Sequence, residues 1–320
     1  MLEITILGTG ATRPTMRRFT TSLVVRHEGE VYLFDCGEGT QVRLAQSGFS
    51  LMRMNKIFIT HFHGDHILGL PGILFSMAKN ERRKPVEIYG PVGIDRIVNG
   101  LISLNFGRVP FEVKVHEVHP GQSISGETSN QRGTGYRIDT FKTRHTKESI
   151  GYIFREQGYS NVDKEKMARE GIKSNPKFAD LKNGKEVEIN GRVFKPSEWL
   201  VEMPGASVAY TGDTMKATSV IDAVKGVDIL IHESTFNEGD RAKFDWGHSS
   251  ARDAAEVAKE AGVGRLFLIH FSHRYRSMKP LLDEARRVFE NSYIAEDLDL
   301  LTLKKGSFDL GRVKPHEATD

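Results

Sequence analysis

The stretch His61-Phe62-His63-Gly64-Asp65-His66 places four metal-capable side chains within six residues. It follows the apolar run Ile57-Phe58-Ile59-Thr60. It precedes a Gly- and Leu-rich stretch, Ile67 to Ala78, that has helical spacing and a Pro71-Gly72 interruption. The spacing predicts strand, tight ligand-bearing loop, helix. Alternation in His-x-His aims both imidazoles to one side of an extended segment. Gly64 permits a sharp turn, after which Asp65 and His66 can face a second position nearby. One short segment can therefore supply ligands to two adjacent metals. Imidazole with carboxylate suits zinc, with manganese or iron as alternatives. The plainer reading, a histidine-rich surface loop, suits an isolated His-x-His better than this denser cluster behind a buried strand.

The rest of the chain decides whether such a site can be completed. Its 320 residues permit one large domain or two small ones. With 38% hydrophobic and 27% charged residues, it has the composition of a soluble globular protein. A net charge of +3 permits a nucleic-acid partner without demanding one. Cys36 is the single cysteine, so no internal disulfide is possible, which fits a reducing cytoplasm. The N-terminus begins on a strand pattern, so no signal peptide is expected, and no apolar run reaches the length of a membrane span.

Short apolar runs recur and stop at chemistry-bearing residues. Strands are expected at Leu2 to Leu7, Ser22 to Arg26, Val31 to Phe34, Val86 to Tyr89, Glu112 to Val118 and Tyr136 to Thr143. Further strands are expected at Ser207 to Thr211, Val227 to Ile231 and Arg265 to Ile269. Four of the runs lead into His61, His145, Asp213 and His270. Sites built at the ends of core strands are held rigidly. Asp35, at another strand end, suits a helix cap or an acceptor that orients a ligand histidine. Gly93 to Leu104 has helical spacing, and Ser123 to Gly135 reads as loop. Ala251 to Ala261 reads as a helix capped by Ser249-Ser250 and closed by Gly262. His248 precedes that N-terminus, where backbone amides welcome an anion. Lys304 to Asp320 reads as a loose tail.

Between Phe154 and Val187 the strand rhythm stops. From Lys173 to Lys195 six basic residues (Lys173, Lys177, Lys182, Lys185, Arg192, Lys195) face three acidic ones, Asp180, Glu186 and Glu188. A basic, weakly apolar insertion fits a projecting arm that meets phosphates; the alternative is a solvated excursion with no partner.

Six motifs together resemble the short-form tRNase Z family of the metallo-β-lactamase superfamily. They are Asp35-Cys36-Gly37-Glu38-Gly39-Thr40-Gln41, the histidine cluster, Thr211-Gly212-Asp213-Thr214, His232-Glu233-Ser234-Thr235-Phe236, Gly247-His248-Ser249-Ser250 and His270-Phe271-Ser272-His273-Arg274-Tyr275. The resemblance implies an α/β, four-layer αββα sandwich, the metallo-β-lactamase fold, with an inserted projecting arm. Residues 1–154 and 188–320 would form the catalytic domain, and 155–187 the tRNA-binding arm. It implies two Zn2+ per chain, with Mn2+ possible. His61, His63 and His145 would hold one metal, Asp65, His66 and His270 the other, and Asp213 would bridge them. It further implies a cytoplasmic homodimer acting on precursor tRNA, with neither DNA nor membrane as partner. The reaction would be endonucleolytic removal of the 3′ trailer, leaving a tRNA 3′ hydroxyl and a 5′-phosphorylated trailer. Asp65 would accept a proton, and His248, oriented by Glu233, would protonate the leaving oxygen. Candidate RNA-binding residues are Arg18, Lys173, Lys177, Lys182, Lys185 and Arg274.

The family's first loop often reads Pro-x-Lys-x-Arg-Asn and is associated with the CCA end. Here it reads Pro14-Thr15-Met16-Arg17-Arg18-Phe19, departing at Met16 and Phe19. His248-Ser249-Ser250 replaces the usual His-Ser-Thr. Two other readings share the metal residues: a small-molecule metallohydrolase (phosphodiesterase, thioesterase or lactonase), and a non-catalytic RNA- or protein-binding module.

Overall fold

A computed structural model describes residues 1–103, 109–128, 135–241, 247–304 and 307–314. The chain first lays down β1 (Leu2–Gly8), β2 (Ser22–His27), β3 (Glu30–Phe34), β4 (Met54–Phe58), β5 (Val86–Gly90) and β6 (Val113–Glu117). A second sheet begins with β7 (Ser123–Glu127), β8 (Gly135–Lys142) and β9 (Ile150–Glu156). Four short strands follow: β10 (Tyr159–Val162), β11 (Val187–Ile189), β12 (Arg192–Phe194) and β13 (Leu200–Met203). The second sheet then resumes with β14 (Ser207–Tyr210), β15 (Ile229–Glu233), β16 (Arg265–Ile269) and β17 (Ser292–Ile294). Finally β18 (Asp299–Lys304) and β19 (Ser307–Arg312) return to the first. The two orders are β19-β18-β1-β2-β3-β4-β5-β6 and β17-β16-β15-β14-β9-β8-β7.

Strand alternation explains the layering. Tyr32 and Phe34 enter the shared core between the sheets with Ile4, Ile6, Phe58, Tyr152, Tyr210, Ile229, Ile231 and Phe267. The intervening Val31 and Leu33 pack instead on Leu70, Ile73, Leu74 and Met77 of the helix Leu70–Lys79. Likewise Leu230 and Leu268 pack on Ala254, Ala255 and Ala258 of the helix Ala251–Ala261. Strands apolar on both faces need cover on both faces. The result is helices outside two facing sheets, the αββα sandwich expected above.

Three local expectations are corrected. Pro71 does not interrupt a helix; it lies in the first turn of Leu70–Lys79, where its missing N–H costs nothing. Ser123–Glu127 is strand rather than loop, because it pairs with β8; residues 129–134 lie outside the described set. The expected loose tail contains β19, which pairs with β18 and forms one edge of the first sheet. Leu104, at the end of one expected helix, and residues 315–320 also lie outside the described residues.

The excursion differs in extent from the expected 155–187. Arg155 and Glu156 still belong to β9, paired with β8. Beyond them β10 pairs with β13 and β11 with β12, so the excursion runs from Tyr159 to Met203. Nor is it weakly apolar: Val162, Met167, Phe178, Leu181, Val187, Phe194 and Trp199 form a core of their own. Phe194 and Trp199, both 2% exposed, lie outside the expected boundary, and the other five are spaced singly among charges, which hid the pattern.

Because this small core is separate from the sandwich, we expect Trp199→Ala to act locally. Removing a buried tryptophan costs about 3–5 kcal/mol. Limited proteolysis within 159–203 should accelerate while the main thermal transition stays in place, whereas Leu230→Ala should lower that transition. If both substitutions lower it equally, the two cores unfold as one unit.

Candidate metal centre

The candidate ligands sit just beyond strand ends. His61 lies three residues past β4, His145 three past β8, Asp213 three past β14, and His270 directly after β16. His63 caps the short helix Gly64–Ile67, whose first turn carries Asp65 and then His66. Three backbone positions here are left-handed without being glycine: Thr12 (φ 69°), Asp35 (φ 53°) and His270 (φ 58°). Such conformations cost about 1–3 kcal/mol each and persist where surrounding contacts hold them.

Those contacts also fix the imidazoles. His145 Nδ1 donates to the Gly247 carbonyl (2.9 Å), and His66 Nδ1 to Asp35 (2.7 Å). Thr60 Oγ1 donates to Asp35 (2.8 Å) and therefore accepts from His61 Nδ1 (3.0 Å). Thr235 Oγ1 donates to Glu233 (2.6 Å) and therefore accepts from His270 Nδ1 (2.8 Å). A hydroxyl has one proton to give, so each of these four rings carries its proton on Nδ1. The Nε2 lone pairs are left bare, which is the state a metal ligand needs.

All four bare nitrogens turn to one carboxylate. Asp213 Oδ1 is 3.3 Å from Nε2 of both His66 and His270. Its Oδ2 is 3.5 Å from His61 Nε2 and 3.7 Å from His145 Nε2. His63 joins the second set, its Nδ1 3.0 Å from His145 Nε2. Asp65 joins the first, its Oδ2 3.3 Å from His270 Nε2. Two His/Asp clusters capable of holding metal ions result: His61, His63, His145 and Asp213 on one side, and Asp65, His66 and His270 on the other.

The donors fit divalent cations. His66 Nε2 and Asp213 Oδ1 are buried with no hydrogen-bond partner, an arrangement that is costly unless something else satisfies them. Burial works against the charge on Asp213, but His270 and His66 outweigh it and hold its pKa well below the usual range. Asp65 behaves alike: burial opposes ionisation, and the hydrogen-bonded His270 and nearby His66 overcome it. Burial lowers the pKa of His61, and next to it the His66 charge does the same. Burial opposes charge on His66, yet Asp213 and Asp35 hold it charged, so a cation bound beside these ionised carboxylates would replace that proton and leave His66 neutral as a ligand.

Asp35 is not a helix cap, since the next helix, Thr40–Gln46, is capped by Gly39. It accepts from Thr60 N (2.8 Å), Thr60 Oγ1, His66 and the Tyr210 hydroxyl (2.5 Å), so it orients one ligand and ties the two sheets together. The expected anion site at the helix after His248 is also corrected. The first three amides of Ala251–Ala261 are already taken, by Phe236 O, Glu284 and Ser250. His248 instead gives Nδ1 to Glu233 Oε1 (2.9 Å). Burial disfavours its charge, but the Glu233 carboxylate prevails and pushes the pKa up to about 9. Glu233 is fully buried and also accepts from Thr214 N (2.8 Å).

Asp65, His63, Asp213, His248 and His270 line one cavity of about 330 Å³ with Thr12 and Leu68. Arg18 is half-buried nearby, its guanidinium 4.9 Å over the Phe271 ring. Arg274 is exposed. Lys173, Lys177, Lys182 and Lys185 are exposed on the excursion, where Lys177 Nζ donates to Glu188 O (2.9 Å). Sequence reading missed Thr12, whose amide donates to Asp65 Oδ2 (2.6 Å), and the orienting roles of Thr60, Thr235 and Tyr210. The two orienting threonines had a signal, a hydroxyl within or beside a histidine motif; Tyr210 had none.

Comparison with known proteins accords with this geometry. A family model described as anti-Pycsar protein Apyc1 matches residues 2–173, and a beta-lactamase superfamily domain model matches residues 178–271. Ribonuclease Z of Methanothermobacter thermautotrophicus is 40% identical over 306 residues, covering 95% of this chain and 97% of the relative. Ribonuclease Z of Sulfolobus acidocaldarius is also 40% identical, with 95% and 100% covered. The crystal structure of human tRNase Z, short form, is 27% identical with a TM-score of 0.64 over 94% of this chain and 99% of that one. The metallo-beta-lactamase fold protein YhfI of Bacillus subtilis, 20% identical over 97% and 99% of the two chains, shares the fold with a TM-score of 0.65. No helix among the described residues is long and apolar enough to cross a membrane. By its extent of identity to the ribonucleases Z and by its two-sheet fold, the chain belongs to the ribonuclease Z family of the metallo-β-lactamase superfamily.

Proposed function

We propose that this chain is a zinc-dependent endoribonuclease that removes the 3′ trailer from precursor tRNA, leaving a tRNA 3′ hydroxyl and a 5′-phosphorylated trailer. One observation carries the reading: Asp213 stands between two sets of imidazole nitrogens, with His248, held from behind by Glu233, on the same cavity, in a chain of this family. His61, His63 and His145 would hold one cation and Asp65, His66 and His270 the other, with Asp213 shared. Two bound zinc ions, or manganese, would polarise the phosphate and acidify water at neutral pH.

The chain's own residues supply the proton movements. Asp65 stays ionised and faces the cavity, so it can accept the proton of the attacking water. The ribose 3′ oxygen is a poor leaving group as an alkoxide. His248 is held by Glu233 through Nδ1, so its Nε2 proton is the one available to that oxygen. We propose that the excursion 159–203 is an arm that grips the tRNA body, with its exposed lysines at phosphates. Action in the cytoplasm as a homodimer belongs to the same reading. A small-molecule metallohydrolase would share the cavity but has no use for an arm with its own core.

Incubating the purified protein with a 3′-extended tRNA and mapping both product ends tests this directly. A 3′ hydroxyl on the tRNA and a 5′ phosphate on the trailer are expected; no cleavage, or the opposite phosphate placement, overturns it. Metal analysis at saturation should give close to two ions per chain, and chelation should abolish cleavage. A stoichiometry of one, unchanged in Asp213→Ala, refutes a shared carboxylate.

His248→Ala should keep both ions and lose about 10²–10⁴ in rate, the usual worth of general acid catalysis. Because an acid works only while protonated, the parent rate should fall as pH rises through the His248 pKa. Glu233 pushes that value up to about 9, and cations held at Asp213, whose Oδ2 lies 3.8 Å from His248 Nδ1, would lower it. The decline should therefore begin below pH 9, and Glu233→Gln should move it lower still. A decline that Glu233→Gln leaves in place assigns the proton to another group. Replacing residues 160–202 with a Gly/Ser linker should weaken binding of precursor tRNA and reduce its salt dependence. Equal loss on a small chromogenic phosphodiester would make the excursion part of the catalytic fold instead.

A further inference from the structure

Beside the metal centre lies a second, larger cavity of about 980 Å³, lined by Arg13, Arg17, Arg18, Arg276, Lys279 and Arg312 among others. The first loop, residues 11–20, forms the wall between the two cavities, since Thr12 and Thr20 line the smaller and Thr15 to Arg18 the larger. Its placement is set at both ends by carboxylates. At one end the Thr12 amide donates to Asp65 (2.6 Å). At the other the Phe19 amide donates to Asp297 Oδ2 (2.8 Å).

Asp297 does more than receive that amide. Its Oδ1 accepts from Thr9 Oγ1 (2.7 Å), at the start of the loop, and its Oδ2 from Arg43 (2.9 Å). Thr9 Oγ1 in turn accepts from Arg18 (2.7 Å). The Arg43 guanidinium sits 4.4 Å over the Phe19 ring. One edge of that ring lies against Gly39, where a Cβ would collide with it. Phe19, the residue that departs from the family pattern, is thus a clamped anchor. Asp297, with a side chain only 4% exposed, joins the loop's entry, its exit, the helix Thr40–Gln46 and the segment between β17 and β18.

We propose that Asp297 is a positioning residue for specificity. It fixes the first loop against the metal centre and so decides which nucleotides flanking the scissile phosphate are admitted. The proposal rests on the ribonuclease reading above. Asp297 touches no substrate. It acts by holding Arg18 and Phe19, and its loss frees the loop at one end while Thr12 still holds the other. The loop's cations then sample several positions, and discrimination between precursors falls.

The test compares two 3′-extended tRNAs that differ only in the nucleotides after the cut, one beginning CCA. For Asp297→Ala the ratio of kcat/KM between them should move toward one by at least about tenfold, since an ångström of misplacement suffices for such losses. The change should lie mainly in KM, with two metal ions per chain retained. Asp297→Asn keeps the shape and one acceptor oxygen and should recover part of the ratio. It also reads the same quantity if the alanine variant fails to fold. A proportional loss on both precursors, leaving the ratio at the parent value, overturns the proposal. A parent enzyme that cleaves neither precursor overturns the ribonuclease reading itself, so the two failures are told apart.

Discussion

Asp213 is the constraint on which the centre depends. A fully ionised carboxylate is buried at 2% exposure with four imidazole nitrogens at 3.3–3.7 Å from its two oxygens. Burying a lone carboxylate is expensive, and neutral imidazoles turned lone pair first give it no relief. Protonated imidazoles would relieve it but would then repel one another; the raised His66 and the lowered His61 register that conflict. Divalent cations held by these residues would resolve it. The Nδ1 hydrogen bonds commit the rings to that solution, because they hold the Nε2 atoms in place.

The scaffold supplies this order from both sheets. Tyr152 of β9 reaches the Ile59 carbonyl (2.8 Å), and Tyr210 of β14 reaches Asp35, so two buried hydroxyls cross the sandwich beneath the histidine motif. Thr60, Asp35 and His66 therefore form one unit fixed by contacts from both layers. The left-handed turns at Asp35 and His270 are the local cost, offset by the hydrogen bonds they make. On the far side, Glu233 links two functions: its Oε1 receives His248 and its Oε2 receives Thr235, which orients His270. The candidate proton donor and a candidate ligand are thus set by one buried carboxylate.

Much of this was legible in the sequence, and the reasons differ by element. Four candidate ligands, His61, His145, Asp213 and His270, stood out because strand periodicity ends near them, and the other three because they share one short motif with His61. Many strands and the capped helix Ala251–Ala261 followed from alternation and capping chemistry, but β7 was read as loop and β19 as tail, and the two facing sheets followed from the family resemblance. The excursion's core was hidden because Trp199 and Phe194 are far in sequence from Val162 and Met167, and only pairing of β10 with β13 brings them together. Asp297 was hidden for the same reason: it meets Phe19 and Arg43 across more than two hundred residues, with no local pattern. The helix amides near His248 misled, because a capping box and Glu284 satisfy them, and Glu284 cannot be located from that end of the chain.

The most direct test of the account is anomalous scattering from crystals of the metal-loaded protein, collected at the zinc edge. The account predicts two peaks per chain about 3.5–4 Å apart, the separation of a two-metal site, one on each side of the Asp213 carboxylate. A single peak, or a second metal that does not share Asp213, would contradict it.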